Sequence, residues 1–288
     1  MSAIERYELP DTVEQAAEIL RGGDVTVLAG GTDLMPQMQA GRVAFGKVLM
    51  NVRRCAGLAG IAVEAGRIRI GALTTITDLL EHDLIRRHLP VLSDAADKFA
   101  SGQIRNMGTV GGNICNASPA GDTLVPLLVL DAEVELVSKP DGHLAIRQLP
   151  LRDFFSGPGR TARRPDELLT AVLVPMPPPG FRAGFAKLGI RPALDISIVS
   201  VAVGGVVADG TIAGARVAFG AVGPRPLRGT GTEAALEGQP LAQALIEAAA
   251  CTARDEVTPI DDLRATAWYR REMIHSLTKK VLTDVAAA

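Results

Sequence analysis

Two glycine-rich segments hold most of the residues of this sequence that could bind a phosphate-bearing ligand. The first is VLAGGTDL at residues 27–34, where an apolar run ends at Gly30 and Gly31 and is followed by Thr32 and Asp33. Because glycine lacks a Cβ atom, a diphosphate can approach the backbone, and the free N–H groups of the turn then point at the anion. Taken alone this pattern is weak, since paired glycines are more often only a tight turn.

The second segment is GTVGGNICNASPAGD at residues 108–122. Its glycines alternate with Thr109, Asn113, Asn116 and Asp122, whose side chains can bond ribose or ribityl hydroxyls, phosphate oxygens or the edge of a cofactor ring. The alternative is a polar surface loop between two apolar helices. We predict a ligand-binding loop here.

Other kinds of site are disfavoured. Neither segment fits G-x-G-x-x-G, and GRVAFGKV at residues 41–48 lacks the P-loop hydroxyl, since Val48 stands in its place. The four histidines show no ligand spacing, no G-x-S-x-G elbow is present, and the three cysteines are too dispersed for an iron–sulfur cluster. Cys115 is either a reactive thiol or, more simply, a small buried filler. We predict no catalytic residue and no metal ligand in this chain.

Composition narrows the class of protein. At 288 residues the chain should form two or three compact units. A net charge of −2 without basic clusters and an aromatic content of 3% disfavour a nucleic-acid partner, which would require a basic face and rings for stacking. The N-terminus lacks the pattern of a signal peptide, and no apolar run approaches the roughly 20 residues of a transmembrane segment. With an odd number of scattered cysteines, a cytoplasmic location is expected.

Periodicity and turn residues predict the elements that position these segments. A capping box at Thr12 should start a helix, and strands at 25–29 and 47–52 complete a small α/β unit. The Pro-rich stretch 175–180 predicts a linker. Further predicted helices lie at 75–81, 90–99, 241–254 and 266–285, and further strands at 61–64, 67–71, 133–138, 144–149, 167–174, 181–188, 198–208 and 211–221.

Together the two glycine-rich segments closely resemble the two flavin-binding loops of the FAD-binding medium subunit of molybdenum hydroxylases, the family of carbon monoxide dehydrogenase and xanthine dehydrogenase. The resemblance covers nearly the whole chain, including FAKLGIR at 185–191 and DISIVSVA at 195–202. It implies an α+β protein with a split, two-subdomain FAD-binding fold of the vanillyl-alcohol oxidase type, followed by an α+β C-terminal flavoprotein domain. The implied bounds are 1–176 for the FAD-binding domain, with subdomains at about 1–56 and 57–176, and 177–288 for the C-terminal domain.

The resemblance also implies which residues bind FAD. The backbone of residues 29–33 would hold the diphosphate, and polar groups of the second segment would line the rest of the cofactor, with Asp122 accepting bonds from its hydroxyls. Phe99 and Ala100 match positions that border the cofactor. Lys187 matches a lysine near the flavin ring, where a cation would raise the reduction potential; the alternative is a solvated lysine at a strand edge. The predicted set is Leu28, Ala29, Gly30, Gly31, Thr32, Asp33, Leu34, Phe99, Ala100, Thr109, Gly112, Asn113, Asn116, Asp122 and Lys187.

The function implied by the resemblance is electron transfer within a heterotrimer. Substrate would be hydroxylated at a molybdenum cofactor in a large subunit, and electrons would pass through two [2Fe–2S] clusters in a small subunit to the FAD of this chain and then to an external acceptor. The complex would be a dimer of heterotrimers.

Two other functions remain open. One is a self-sufficient FAD oxidase or reductase of the same superfold, which often attaches its flavin through His or Cys; neither segment contains a histidine. The other is a flavin-free assembly or partner-binding protein, which would have little need to keep the paired glycines of both segments.

Overall fold

Residues 4–60 form a small α/β unit around a parallel sheet. The computed structural model describes residues 4–191 and 194–288, so the first three residues of the N-terminal segment considered above lie outside the described part. The elements of this unit are β1 (Arg6–Glu8), α1 (Val13–Arg21), β2 (Val25–Leu28), α2 (Leu34–Gln39) and β3 (Val48–Asn51). Its sheet has the strand order β1-β3-β2, with β2 at one edge.

Local sequence explains this unit. The Thr12 side chain accepts a hydrogen bond from the Gln15 N–H and caps α1, as predicted. The helix buries Ala16 and Leu20 in a small core with Met50 of the central strand. Among the residues that the structure describes, strand β2 pairs only with β3, so its other edge is free to line a ligand site.

A five-stranded antiparallel sheet forms the second unit. The strands of the unit are β4 (Ile61–Glu64), β5 (Arg67–Gly71), β6 (Glu133–Ser138), β7 (Ala145–Pro150), β8 (Phe155–Gly157), β9 (Arg160–Thr161) and β10 (Leu168–Pro175). The sheet has the strand order β4-β5-β10-β6-β7, and β8 and β9 form a separate short pair. The two-residue turn Ala65-Gly66 has positive φ at both positions, which closes the predicted hairpin. The helices of the unit are α3 (Ile76–Glu81), α4 (Asp83–His88), α5 (Pro90–Asp97), α6 (Gly102–Arg105), α7 (Val110–Asn116), α8 (Leu124–Val129) and α9 (Leu151–Phe154).

The second glycine-rich segment contains the helix α7 at Val110–Asn116, so the prediction of a loop was wrong for that part; residues 117–122 lie outside any helix. Thr109 accepts a hydrogen bond from the Gly112 N–H at 3.1 Å and caps α7. Ser101 caps α6 in the same way through the Ile104 N–H. These side-chain caps offset the poor helix propensity of glycine and asparagine.

The third unit is an antiparallel sheet covered by helices. Its elements are β11 (Phe181–Leu188), β12 (Val199–Ala208), β13 (Thr211–Gly220), β14 (Leu227–Arg228), α10 (Thr230–Leu236), β15 (Gln239–Pro240), α11 (Gln243–Glu256) and α12 (Ala267–Ala287). The strand order is β11-β12-β13-β14, with β15 paired to β13. Helix α12 packs against β11 and β12, and α11 packs on α12 and shares their core. The turn at Asp209 and Gly210 has positive φ at both residues, as the predicted hairpin requires.

A buried arginine anchors the loop that leads into α12. Arg270 is 4% exposed, donates to the Ala221 carbonyl at 2.7 Å and pairs with Asp262 at 2.7 Å. Burial opposes ionisation of Asp262, but the backbone N–H groups of Arg264 and Ala265, together with the Arg270 guanidinium, lower its pKa to about 2.

The second and third units share a core. Helix α8, all of whose residues are buried, packs against β12 and β13, and Phe185 and Ala202 of the third unit belong to the same apolar cluster. Within the described ranges, no helix combines the length and apolar character needed to span a bilayer.

Candidate functional site

A cavity of about 470 Å³ lies where the first unit meets the second. Its volume falls in the range of about 300–1,000 Å³ that is usual for small-molecule sites. Both glycine-rich segments line it, together with the free edge of β2 and the start of β10. The predicted residues in its wall are Ala29, Gly30, Gly31, Thr32, Asp33, Leu34, Phe99, Thr109, Gly112, Asn113 and Asn116.

The first segment presents a row of free backbone donors to this cavity. In the part of the chain that the structure describes, the N–H groups of Gly30, Gly31, Thr32 and Asp33 have no acceptor within the protein. Gly31 has a φ of +73°, which turns the chain after β2. Consecutive unpaired N–H groups in a turn form a concave site for an anion, which fits the diphosphate of a dinucleotide cofactor.

The second segment contributes side chains rather than a free helix terminus. The N–H groups of Val110, Gly111 and Gly112 bond Thr74 O, Ala72 O and Thr109 Oγ1 at 2.9–3.1 Å, so they are not available to a ligand. Further along α7, the amides of two asparagines line the cavity. They can therefore bond hydroxyls of a cofactor, which the N-terminus of the helix cannot.

Each of those amides is held by one neighbour. The Asn113 Oδ1 accepts from Thr123 Oγ1 at 2.6 Å, and the Asn116 Oδ1 accepts from Gln37 Nε2 at 3.2 Å. Gln37 also donates to the Asp33 carboxylate, so it connects the two segments across the cavity. Both asparagine Nδ2 groups lack an acceptor within the described residues, which leaves donors for a ligand.

Two glycines allow close contacts in the cavity wall, Gly30 between the two glycine-rich segments and Gly111 between α7 and Ala72. A Cβ atom on Gly30 would lie 2.0 Å from Met107 O, and one on Gly111 would lie 2.7 Å from Ala72 Cβ. Both are well inside van der Waals contact. These glycines therefore allow close packing of the cavity walls, a role distinct from direct approach of a phosphate to the backbone.

Arg163 adds a positive charge that the sequence motifs did not indicate. It lines the cavity and donates to Glu167 O at 2.6 Å and Arg164 O at 3.1 Å. Across the described ranges, no carboxylate lies within ion-pair distance of its guanidinium. The nearby Glu167 is 1% exposed and already paired with Arg147 at 2.7 Å and Arg164 at 3.0 Å.

The negative charge of Glu167 is thus already paired with Arg147 and Arg164. Burial by itself would raise its pKa, but the hydrogen bonds from Arg147 and from the Arg164 backbone lower it below the usual value. Arg163 therefore retains an uncompensated charge beside the cavity, which suits an anionic ligand. The apolar residues Leu168 and Leu169, also absent from the sequence prediction, complete this wall.

Four predicted residues lie outside the cavity wall. Leu28 ends β2, and Ala100 follows Phe99 with a φ of +37°. Asp122 accepts from Lys187 Nζ at 2.7 Å and from Ser197 Oγ at 2.8 Å. This buried pair connects the second unit to the third.

The pair changes the interpretation of Lys187. Its side chain is 7% exposed, so it is not a solvated lysine at a strand edge. Burial raises the pKa of Asp122, an effect that the charge and hydrogen bond of Lys187 and the hydrogen bond from Ser197 offset in part. Lys187 also borders a second cavity of about 430 Å³, together with Lys98 and Arg191.

Two family models match the chain. The FAD binding domain in molybdopterin dehydrogenase matches residues 2–177, and the CO dehydrogenase flavoprotein C-terminal domain matches residues 185–285.

Known proteins match it along its whole length. The chain is 35% identical over 286 residues to the xanthine dehydrogenase FAD-binding subunit of Escherichia coli O157:H7, covering 98% of this chain and 96% of the relative. It is 35% identical over 283 residues to the nicotinate dehydrogenase FAD-subunit of Eubacterium barkeri, covering 96% and 94%. A solved chain of carbon monoxide dehydrogenase from Hydrogenophaga pseudoflava, which lacks the Mo-pyranopterin moiety, superposes with a TM-score of 0.93 at 31% identity, covering 100% and 99%.

Proposed function

This chain belongs to the family of FAD-binding medium subunits of molybdenum hydroxylases, and on that premise we propose that its FAD lies in the cavity between the first and second units. Membership confirms the predicted resemblance and the α+β fold class. The observation that carries the proposal is the row of unpaired N–H groups from Gly30 to Asp33, which faces the asparagines of α7 across a cavity of ligand size.

We assign a separate task to each wall of the cavity. The N–H groups of residues 30–33 hold the diphosphate, and Arg163 adds the positive charge that balances it. The Asn113 and Asn116 amides bond cofactor hydroxyls. Leu168 and Leu169 supply apolar surface for a flat ring, and Thr109, Phe99 and the adjacent Leu28 and Ala100 complete the border.

Asp122 and Lys187 act on the cofactor as a pair. Because the Lys187 charge is matched at 2.7 Å by the Asp122 carboxylate, its field at a flavin ring is weaker than that of a lone cation. We therefore expect a smaller rise in reduction potential than an isolated lysine would produce. The pair also fixes the C-terminal unit against the FAD-binding half.

The domain bounds follow the same reasoning. We propose an FAD-binding domain at 1–176, with subdomains at about 1–56 and 57–176, and a C-terminal domain at 177–288. The cavity between the parallel and the antiparallel sheet supports the first division. The two family matches, which end at residue 177 and begin at residue 185, support the second.

When bound, FAD accepts electrons from a one-electron donor and passes them to an acceptor. The residues of this chain bind and orient it and exclude water; none of them is assigned a role as acid, base or nucleophile. We propose that the donor is an iron–sulfur subunit, that a large subunit holds the molybdenum cofactor, and that the complex is a dimer of heterotrimers. The three free cysteines support a cytoplasmic location.

Co-expression with the two partner subunits tests this role. We expect substrate to bleach the flavin absorbance only in the assembled complex, and to leave the isolated, FAD-loaded chain unchanged. Bleaching by substrate in the isolated chain would favour a self-sufficient oxidase. A colourless chain within an active complex would favour the assembly protein.

A further inference from the structure

Helices α11 and α12 bring together three different metal-ligating side chains, none of which lines the FAD cavity. Glu247 and Cys251 are four residues apart on α11, so they lie on the same face of the helix. His275 faces them from α12, and its Nε2 is 2.8 Å from Glu247 Oε1. One ligand atom from each of the three lies within 4.8 Å of the other two.

We propose that Glu247, Cys251 and His275 form a Zn²⁺ site. A thiolate, an imidazole and a carboxylate are all preferred ligands of zinc, with bonds of about 2.3, 2.0–2.1 and 2.0–2.2 Å. Because the set includes a soft sulfur ligand, it favours zinc over Mg²⁺ or Ca²⁺, which prefer oxygen. The three side chains are partly exposed, so small rotamer changes can draw their ligand atoms to the roughly 3.5 Å spacing of a tetrahedron with these bond lengths.

Three protein ligands leave the fourth position of a tetrahedral ion to water. On binding, the Cys251 thiol releases its proton to solvent and the thiolate joins the ion. The thiolate and the Glu247 carboxylate together balance the two positive charges of zinc. The ion would cross-link α11 to α12, the helix that packs directly on β11 and β12.

Lys279 competes with the ion. Its Nζ lies 2.6 Å from Glu247 Oε2, one helical turn beyond His275 on α12. Zinc must displace this ammonium from the carboxylate and then lie beside it. The lysine therefore weakens metal binding, and its removal should strengthen it. If Glu247 served only to pair with Lys279, removing Lys279 would take away a stabilising contact and would not strengthen metal binding.

Metal binding by the untagged, FAD-loaded chain tests the site. Co²⁺ serves as a spectroscopic probe, because its charge-transfer band with a thiolate appears in a difference spectrum from which the flavin contribution cancels. We expect one Co²⁺ per chain, displaced by Zn²⁺, and loss of the band in Cys251→Ser. We expect metal affinity to fall by at least about tenfold in His275→Gln and to rise in Lys279→Met.

Cys55→Ser is the matched control, since Cys55 lies in the core of the first unit and belongs to neither site, so the Co²⁺ band should stay unchanged. A wild-type chain without the band would overturn the site, as would a band that survives Cys251→Ser, or a Lys279→Met chain with weaker binding. FAD content measured on the same samples reports separately on the proposed cofactor site, because the two sites share no residue.

Discussion

Substituting Gly30 by alanine should push the two glycine-rich segments apart and weaken FAD binding. The added Cβ would lie 2.0 Å from Met107 O, 2.9 Å from Met107 C and 3.2 Å from Gly108 Cα. All three are backbone atoms, so no change of rotamer can relieve the contact. One segment must move by more than about 1 Å to reach an ordinary separation of roughly 3.5 Å. Unlike Gly31, Gly30 has no positive φ, so the substitution tests the close approach alone.

The size of the effect follows from this geometry. Overpacking usually costs about 1–3 kcal/mol, and a backbone contact of 2.0 Å places this variant near the upper value, about 3 kcal/mol for the FAD-free chain. The shift also misaligns the N–H groups of Gly30 and Gly31. Loss of two hydrogen bonds to a charged group, at about 1.5 kcal/mol each or more, would raise the Kd for FAD roughly 100-fold.

Fluorescence titration of the FAD-free chain measures the Kd, and urea unfolding measures stability. Gly102→Ala is the control, because Gly102 is exposed, has no positive φ and would place its Cβ in open space. We expect that variant to stay within about 0.5 kcal/mol of the parent protein and to bind FAD normally. Unchanged FAD affinity in Gly30→Ala, or equal losses in both variants, would refute the reasoning.

Three further predictions test the charges. Arg163→Gln should weaken FAD binding about tenfold or more and reduce the dependence of FAD binding on salt. Arg160 is an exposed arginine nearby, and Arg160→Gln should change neither property. FAD titration at two ionic strengths checks both variants. Asp122→Ala should cost about 3 kcal/mol in urea unfolding because Lys187 is left buried without its partner, and adding Lys187→Met should recover part of that loss. The pKa of Asp262 in the folded protein is about 2, against an ordinary 3.8. The stability that this carboxylate contributes is therefore complete above pH 3.8 and is lost as the pH falls toward 2. Asp262→Asn should flatten the plot of melting temperature against pH between these two values.

Local sequence signals predicted much of the fold. The Thr12 cap and the turns Ala65-Gly66 and Asp209-Gly210 act within a few residues, so their helix and hairpins could be predicted. The loop predicted for the second glycine-rich segment was wrong over α7, because the prediction followed the Gly and Asn content and overlooked the helix cap at Thr109. A single hydroxyl, that of Thr109, is enough to start α7 in a segment rich in Gly and Asn.

The site was harder to predict, because several of its contacts join distant residues. The glycine motif marks Gly30 correctly, but its contact with Met107 is formed only when the two segments fold together. Asp122 and Lys187 are 65 positions apart, so their pairing could not be seen in either motif. Arg163 belongs to no motif and reaches the cavity only because the chain enters β10 beside it.

The visible absorption spectrum of the purified chain, with the heat-released ligand identified by chromatography, tests the central claim most directly. The account predicts flavin bands, one free FAD released per chain on denaturation, and uptake of added FAD by the stripped protein. A colourless chain that also fails to take up FAD would contradict it.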